Sequence, residues 1–410
     1  MAIAAIPDYL GKDFSNASPG LRFGMYLQVW NSNFAKEKEK VVPLKRAGKL
    51  NDDDKKVMAT LLARQQASFA AISDTANSVQ LDAVAASPFT TGLGNEHPLE
   101  NGFAFLNPYG LPYLPGSGVK GVLRQAAREL ASGEWGDGYG WLKKPIYPFV
   151  VNEKQIVDNN KEPVLLSMLD VLFGKESKDG DKEHLRGALT FWDVIPQIKG
   201  DSLQVEIMTP HQKHYYQEGQ NPHDSGQPIP ISFLTVPPGS SFSFHVQCDL
   251  ALLEQHASEL AKDGLWQQLL QAAFAHAFEW LGFGAKTAVG YGAMKEDAAK
   301  KAEREEQLRQ QQEVERRSTL SPEELAYEEH LPVIEKFREA FEQVRHGAYQ
   351  PGQEFDSKRN EFIQVATSWE ELRSRLEAAE ILAETLKWGV SKKGKDRLKA
   401  AVASLKGGGG

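Results

Sequence analysis

The segment Tyr113-Leu-Pro-Gly-Ser-Gly-Val-Lys-Gly-Val-Leu-Arg124 reads as the end of a strand, a tight turn and the first turns of a helix. Pro115 fixes φ and cannot extend a ladder, while Gly116 and Gly118 permit positive φ and let another backbone approach closely. Ser117 stands where a side chain can cap the helix N-terminus. Beyond it, Val122, Leu123, Ala126, Ala127, Leu130 and Ala131 recur at helical spacing. Lys120 and Arg124, four apart, share a face of that helix. Free amides at a helix start, together with two cations, suit a phosphate backbone. A strand-to-helix turn with solvated cations accounts for the same residues.

The bulk composition sets bounds around this segment. A chain of 410 residues implies one or two domains and ample length for a buried core. No apolar run approaches the roughly 20 residues that a membrane span needs. The N-terminus carries no basic-then-apolar signal pattern, so none is expected. Cys248 is the single cysteine, which leaves no internal disulfide or cysteine-based zinc site and fits a reducing cytoplasm. A net charge of −8 argues against a protein that coats nucleic acid over its whole surface. It leaves room for one narrow basic groove, with acidic surface elsewhere for protein partners.

Along the chain, Leu21–Trp30 is expected to be a strand and the charged stretch from Ala35 to Lys56 a loop. Asp52-Asp53-Asp54 opens a helix carrying Val57, Leu61, Leu62, Phe69 and Ile72. The alternation of Val79, Leu81, Ala83 and Ala85 predicts a strand. Asn95, Glu96, His97 and Glu100 lie in a Gly- and Pro-rich loop without metal-ligand spacing and read as hydrogen-bonding loop residues. Residues 132–163 read as an insertion, Leu165–Phe173 as a short helix stopped by Gly174, and Arg186–Ile195 as a strand. Leu203–Met208, Pro228–Val236 and Ser241–Cys248 are further strands, the last two joined into a hairpin by Pro237-Pro-Gly-Ser240. Leu250–Leu281 reads as one long amphipathic helix, and Gly290–Met294 as a closing strand.

The pattern over residues 15–294 is β-α-β, with insertions, followed by β-β-α-β, which predicts an α+β, ferredoxin-like (RRM-like) domain. After Met294 the composition turns charged and helical, giving domains 1–294 and 295–406 and a flexible glycine end, 407–410. In the all-helical extension, Ser321 and Pro322 start a helix through about Val344, Ser368 starts another, and Lys395–Leu405 forms a third.

Two further stretches bear on chemistry. Gly282-Phe-Gly-Ala-Lys-Thr-Ala-Val-Gly-Tyr-Gly292 fails the Walker A pattern, because Ala285 precedes Lys286-Thr287 and Trp280 stands where the first glycine belongs. It remains an amide-rich loop in which Gly282, Gly284, Lys286, Thr287, Gly290 and Gly292 could cradle phosphate, with Tyr291 packing a base or sugar. Phe283 and Tyr291 anchoring the loop in the core is the competing reading. His211, Lys213, His214, Tyr215 and Tyr216 cluster as cations and aromatics. A zinc site lacks further ligands of sensible spacing. A metal-free ribonuclease could use His211 or His214 as base. An RNA or subunit contact needs only the charges and rings.

The Tyr113–Arg124 segment resembles the "PGSSLKGxLR" signature of the RAMP superfamily, the RRM-like RNA-binding subunits of CRISPR effector complexes. That family also carries a late glycine-rich loop, here Gly282–Gly292, about 160 residues on. A "G-x-hydrophobic-x-F-x-D-x-x-P" strand follows its first motif, here Gly187 to Pro196 with Phe191 and Asp193 in place. Asp193 is read as a structural cap. Within the superfamily, the segment from Tyr109, the His211–Tyr216 run and Ile229-Pro-Ile-Ser-Phe-Leu resemble a backbone subunit of type III-B (Cmr) complexes. The resemblance implies a non-catalytic, cytoplasmic subunit. It would bind CRISPR RNA (crRNA) near its 3′ end through Gly116, Ser117, Gly118, Lys120, Arg124, the His211–Tyr215 run and the glycine loop. It implies neighbouring Cmr subunits and target RNA as partners, and no metal, cofactor or membrane. The rival readings are a CRISPR-repeat endoribonuclease of similar fold and another type III backbone subunit. The helical extension lies outside the resemblance.

Overall fold

Val79, Ala83 and Ala85 are buried along β1 (Ser78–Ala85), the alternation that defines a strand with one face in the core. The computed structural model describes residues 2–136, 138–143, 145–151, 154–157, 162–175, 184–209, 219, 230–345, 354–386 and 392–407. They combine sheet and helix with a helical C-terminal region, and divide into two units, Met1–Ala302 and Glu303–Gly410.

In chain order the first unit holds α1 (Pro19–Gly24), α2 (Val41–Ala47), α3 (Asp52–Ile72), β1, α4 (Gly116–Ser132) and α5 (Met168–Phe173). Next come β2 (Leu189–Phe191), β3 (Gln204–Met208), β4 (Ile231–Thr235), β5 (Ser241–Cys248), α6 (Leu250–Ala261), α7 (Leu265–His276) and β6 (Met294–Glu296). The main sheet has the order β2-β5-β1-β6, antiparallel throughout. Its long central pair runs from Ser78↔Gln247 to Val84↔Ser241.

One face of this sheet meets α4 and α7. Leu123, Ala126 and Ala127 of α4 are buried in the same core as Leu269, Leu270 and Ala273 of α7, and the two alanines allow close approach. Phe244 of β5 packs against Phe274, Phe278 and Phe283 at ring distances of 5.4, 5.9 and 5.0 Å. The other face carries Asp82, Ser243 and His245, all buried. There α3 lays Phe69 against His245 (4.8 Å) and Trp192 (5.2 Å). The start of α3 is fixed by a capping box between Asn51 and Asp54. Burial pushes the Cys248 thiol up to about 12, so it stays protonated at neutral pH.

Several expected elements differ. Leu21–Trp30 is not a strand, because Pro19 at the first helical position starts α1 and Gly20 fits against Gly110. The expected loop after Ala35 contains α2, which forms because Pro43, Leu44 and Ala47 bury one side. Leu165–Ser167 is a short strand, and Ser167 caps α5 before Gly174 stops it at φ 96°. The strand expected over Arg186–Ile195 is split into Leu185–Arg186 and β2. The hairpin expected between Pro228 and Cys248 does not form. β4 pairs with β3 instead, in a separate ribbon, and the turn after Val236 delivers the chain to β5 in another sheet. Pro237 and Pro238 have no N–H with which to continue a ladder. The long helix breaks at Asp263 (φ 53°) and Gly264 (φ 65°), and its last turn, Ala277–Leu281, widens to a π-turn. The closing strand begins only at Met294.

The second unit is described by itself. It comprises the rest of α8 (Ala298–Thr319), which buries no residue, then α9 (Pro322–Arg345), α10 (Glu354–Ala366), α11 (Leu372–Thr385) and α12 (Lys392–Lys406). Ser321 and Glu324 form the expected capping box. Ser368 does not start α11. Its hydroxyl donates to Val365 C=O, and Glu371 caps α11 by accepting from the amide of Ser374 at 2.6 Å. The core centres on Phe337 stacked on Phe362 at 4.1 Å, with Ile334, Phe341 and Leu382. Among the described residues, no helix is long and apolar enough to cross a membrane.

His245 yields a pH prediction. Burial pushes its imidazole down to about 4, from an ordinary value of 6.5. The folded chain therefore holds the ring neutral while the unfolded chain protonates it. This ring's contribution to stability is complete above pH 6.5 and is lost as pH falls toward 4, at up to about 1.4 kcal/mol per pH unit. Urea melts between pH 7 and pH 4.5 should show this slope, and His245→Phe should flatten it.

Candidate nucleic-acid interface

The first motif is built against the strand end that follows β2. Leu114 and Val194 exchange backbone hydrogen bonds of 2.9 and 2.8 Å. Gly116 sits so close to this strand that a Cβ would lie 2.2 Å from the Phe191 carbonyl oxygen. Only glycine fits there. The Gly116 amide donates to Asp193 Oδ1 at 2.7 Å, so Asp193 is the cap of α4. Pro115 occupies the position before the helix, and Ser117 lies in its first turn without capping it, a correction to the expected cap. The amides of Gly118 and Val119 reach the Pro115 carbonyl at 2.8 and 3.1 Å. An acid of the protein already stands at this helix start, so the amides are engaged rather than free.

Lys120 and Arg124 line an open cleft of about 630 Å³, and Gly116 and Ser117 line it with them. Its other lining comes from Phe173–Lys175, His184–Gly187 and Leu189–Phe191. Gly174–Lys175 pairs with Leu185–Arg186, which brings Lys175, His184 and Arg186 into the same cleft. His184 Nδ1 lies 3.2 Å from the Lys175 carbonyl oxygen. The Arg186 guanidinium donates to Thr190 Oγ1 at 3.5 Å. Phe173 and Phe191 stack at 5.7 Å. Among the described residues, four Lys or Arg side chains and one histidine line the cleft, and no Asp or Glu does. Such a set of cations attracts phosphate, and of the two rings only Phe191 is partly exposed beside it. The sequence reading had Lys120 and Arg124 and missed Lys175, His184 and Arg186. Its only signal for them was the pair of glycines, Gly174 and Gly187, that turn the chain on either side of a charged loop.

The glycine loop does not line this cleft. Phe283 is fully buried. Lys286 places Nζ 2.9 Å from Met208 Sδ and 5.6 Å from the Phe233 ring centre, and Tyr291 packs on the same ring at 5.6 Å. The Tyr291 hydroxyl lies 3.5 Å from Glu206, and burial, then this carboxylate, push its pKa up. Thr287 opens a single 3₁₀ turn, Thr287–Val289. Gly282 and Gly284 take φ values of 70° and 91°. The loop is folded onto the β3–β4 ribbon. His211, Lys213, His214, Tyr215 and Tyr216 lie outside the described residues.

Among the described residues, no group of three His, Cys, Asp or Glu could hold a metal. His97 stacks on Phe23 at 3.8 Å, its Nε2 is 3.1 Å from the Phe23 carbonyl oxygen, and its Nδ1 accepts from the Leu99 amide. Glu100 pairs with Lys40 at 3.3 Å. These are loop-fastening contacts.

The RAMP superfamily model matches residues 82–295, just over half of the chain, and the chain belongs to that superfamily. Within it, the chain resembles the CRISPR system Cmr subunit Cmr6 of Pyrococcus furiosus, with 30% identity over 245 residues. That match covers 51% of this chain and 65% of the relative, so it spans just under two thirds of the relative's length. The crystal structure of Cmr6 from Pyrococcus furiosus is 28% identical, covering 53% of this chain and 97% of that one, with a TM-score of 0.28. A chain in the cryo-EM structure of type III-B Cmr-beta bound to cognate target RNA is 18% identical, covering 62% and 69%, with a TM-score of 0.39.

The glycine loop gives a paired test. A Cβ on Gly292 (φ 72°) would lie 1.8 Å from the Phe283 carbonyl oxygen, whereas Gly290 (φ 92°) faces open space. Gly290→Ala should cost only the left-handed backbone strain, about 1–2 kcal/mol. Gly292→Ala adds a collision with backbone and should cost about 3 kcal/mol or more. Chemical denaturation of the two variants measures the difference.

Proposed function

We propose that this chain is a non-catalytic subunit of a type III-B (Cmr) RNA-targeting effector complex, in the place of its sixth subunit. It binds crRNA near the 3′ end and packs on neighbouring backbone subunits in antiviral defence. The observation that carries the reading is the cleft beside the first RAMP motif, whose described lining holds Lys120, Arg124, Lys175, His184 and Arg186. Cations without a base-reading constellation hold a strand by its phosphates and accept any sequence. That suits a protein whose guide reads its target by base pairing.

The similarity to Cmr6 supports the particular subunit and other Cmr subunits as partners; crRNA and target RNA are the further partners that this reading entails. The strand order supports a ferredoxin-like reading of residues 1–294. Taken by succession in the chain, the four main strands lie in the order second, third, first, fourth, with α4 after the first and α6 and α7 after the third. Residues 295–406 are then an added helical extension. The setting is cytoplasmic.

Lys120→Ala with Arg124→Ala tests the reading directly. The double variant should keep the wild-type melting midpoint and lose about tenfold or more in affinity for crRNA. The slope of log affinity against log salt should fall by about 1.4, because two cations no longer neutralise phosphates of the single strand. Undiminished crRNA occupancy in the double variant would sink the assignment.

A further inference from the structure

A second cleft lies at the other end of the first unit's sequence, and its lining shares no residue with the first. It holds about 290 Å³, near the lower size of a small-molecule site. The segments Lys12–Ser15, Arg22–Gln28 and Pro43–Lys49 meet around it.

Arg22 is the anchor of this cleft. It is 8% exposed. Its guanidinium donates to the carbonyl oxygens of Arg46, at 3.0 Å, and of Lys49, and lies 3.6 Å from the Asp54 carboxylate. These contacts hold α1 against the end of α2. They leave the Nε–H buried with no hydrogen-bond partner. A buried, charged donor left unsatisfied is costly, and an acceptor supplied by an occupant of the cleft would complete it.

The rest of the lining fits one kind of occupant. Lys12, Arg46 and Lys49 are exposed around the cleft and give three cations, while the charge of Arg22 faces the Asp54 carboxylate. Asp13 is the single acid, and its Oδ1 is engaged by the Ser15 amide at 3.0 Å. In a chain of net charge −8, this is a local concentration of positive charge. Beside it, Phe14 and Tyr26 are stacked at 4.4 Å with their planes 8° apart, and both remain partly exposed. Gln28 is oriented by donating to the Lys12 carbonyl oxygen at 3.0 Å and accepting from Arg46 Nη1 at 3.4 Å. A flat aromatic pair, a held amide and a rim of cations are what a base, its polar edge and a phosphate require.

We propose that this cleft is a nucleotide-binding site, with the phosphate among Lys12, Arg46 and Lys49 and the base against the Phe14–Tyr26 stack. The nucleotide is either free or part of a single-stranded RNA. The site is separate from the Lys120–Arg124 cleft and does not depend on the role given to it.

The full chain should be titrated with uridine 5′-monophosphate, with uridine, and with a 5′-phosphorylated uridine hexanucleotide, by calorimetry at low salt. Saturable binding of a phosphorylated probe should fall about tenfold or more in Arg46→Ala with Lys49→Ala, and similarly in Phe14→Ala. Phe14→Leu removes the ring while keeping apolar bulk, and serves if Phe14→Ala lowers the melting midpoint. Lys120→Ala with Arg124→Ala removes the cations of the other cleft, so every titration is repeated in that background, and the binding that remains there is the binding proposed. In that background a hexanucleotide that binds well above the monophosphate points to RNA as the source, and equal affinities point to a free nucleotide. The proposal is overturned if neither phosphorylated probe binds, if the variants bind as wild type, or if uridine binds as tightly as its monophosphate.

Discussion

The contact between Gly116 and the Phe191–Asp193 segment is the constraint from which the rest of the first unit follows. The absence of a Cβ lets the start of α4 press onto the strand backbone, and the Asp193 carboxylate closes that junction through the Gly116 amide. This fixes where α4 leaves the sheet edge and which way it runs. From that direction come the burial of Leu123, Ala126 and Ala127 against α7 and the presentation of Lys120 and Arg124 to the cleft on the other side. A single helix thus ties the core to the candidate interface.

The same junction decides the character of that interface. A helix start usually offers amides and a positive dipole end to an external anion. Here the protein supplies the anion itself, and the amides of Gly118 and Val119 turn back to Pro115. The positive charge of the cleft therefore comes from side chains gathered from three segments: α4, the Gly174–Lys175 strand, and the His184–Arg186 stretch. Their number among the described residues sets this surface apart within an acidic chain.

Much of the frame was legible because it is periodic. The alternation in β1 and the helical spacing after Gly116 each give one buried face, and the structure has both. Asp193 as a cap was legible too, since a lone acid at a strand end is most simply explained by a nearby helix start. The failures have physical causes. Asp263 and Gly264 interrupt a helix whose apolar spacing continues through the break, so periodicity alone does not reveal it. Two apolar strands joined by a turn look like a hairpin, but Pro237 and Pro238 carry the chain between sheets. The packing of the glycine loop was not legible either: Lys286 and Tyr291, both still partly exposed, lie against Phe233, Met208 and Glu206 of the earlier β3–β4 ribbon, which no local pattern announces. Arg22 gave no sequence signal at all, because its burial depends on α2 and Asp54 closing over it.

The helix α3 has a consequence for how such a sheet can be used. In RNA-recognition modules, aromatic side chains on an open sheet surface stack on bases. Here that surface is roofed. Phe69 rests on His245 and Trp192, Gln247 donates to the Ile72 carbonyl at the end of α3, and Gln197 reaches Met58. On the same face, Asp82 and Ser243 are buried and bond to each other. The sheet is thereby a frame and not a platform: its polar face is closed by protein, and the exposed cations stand at its rims.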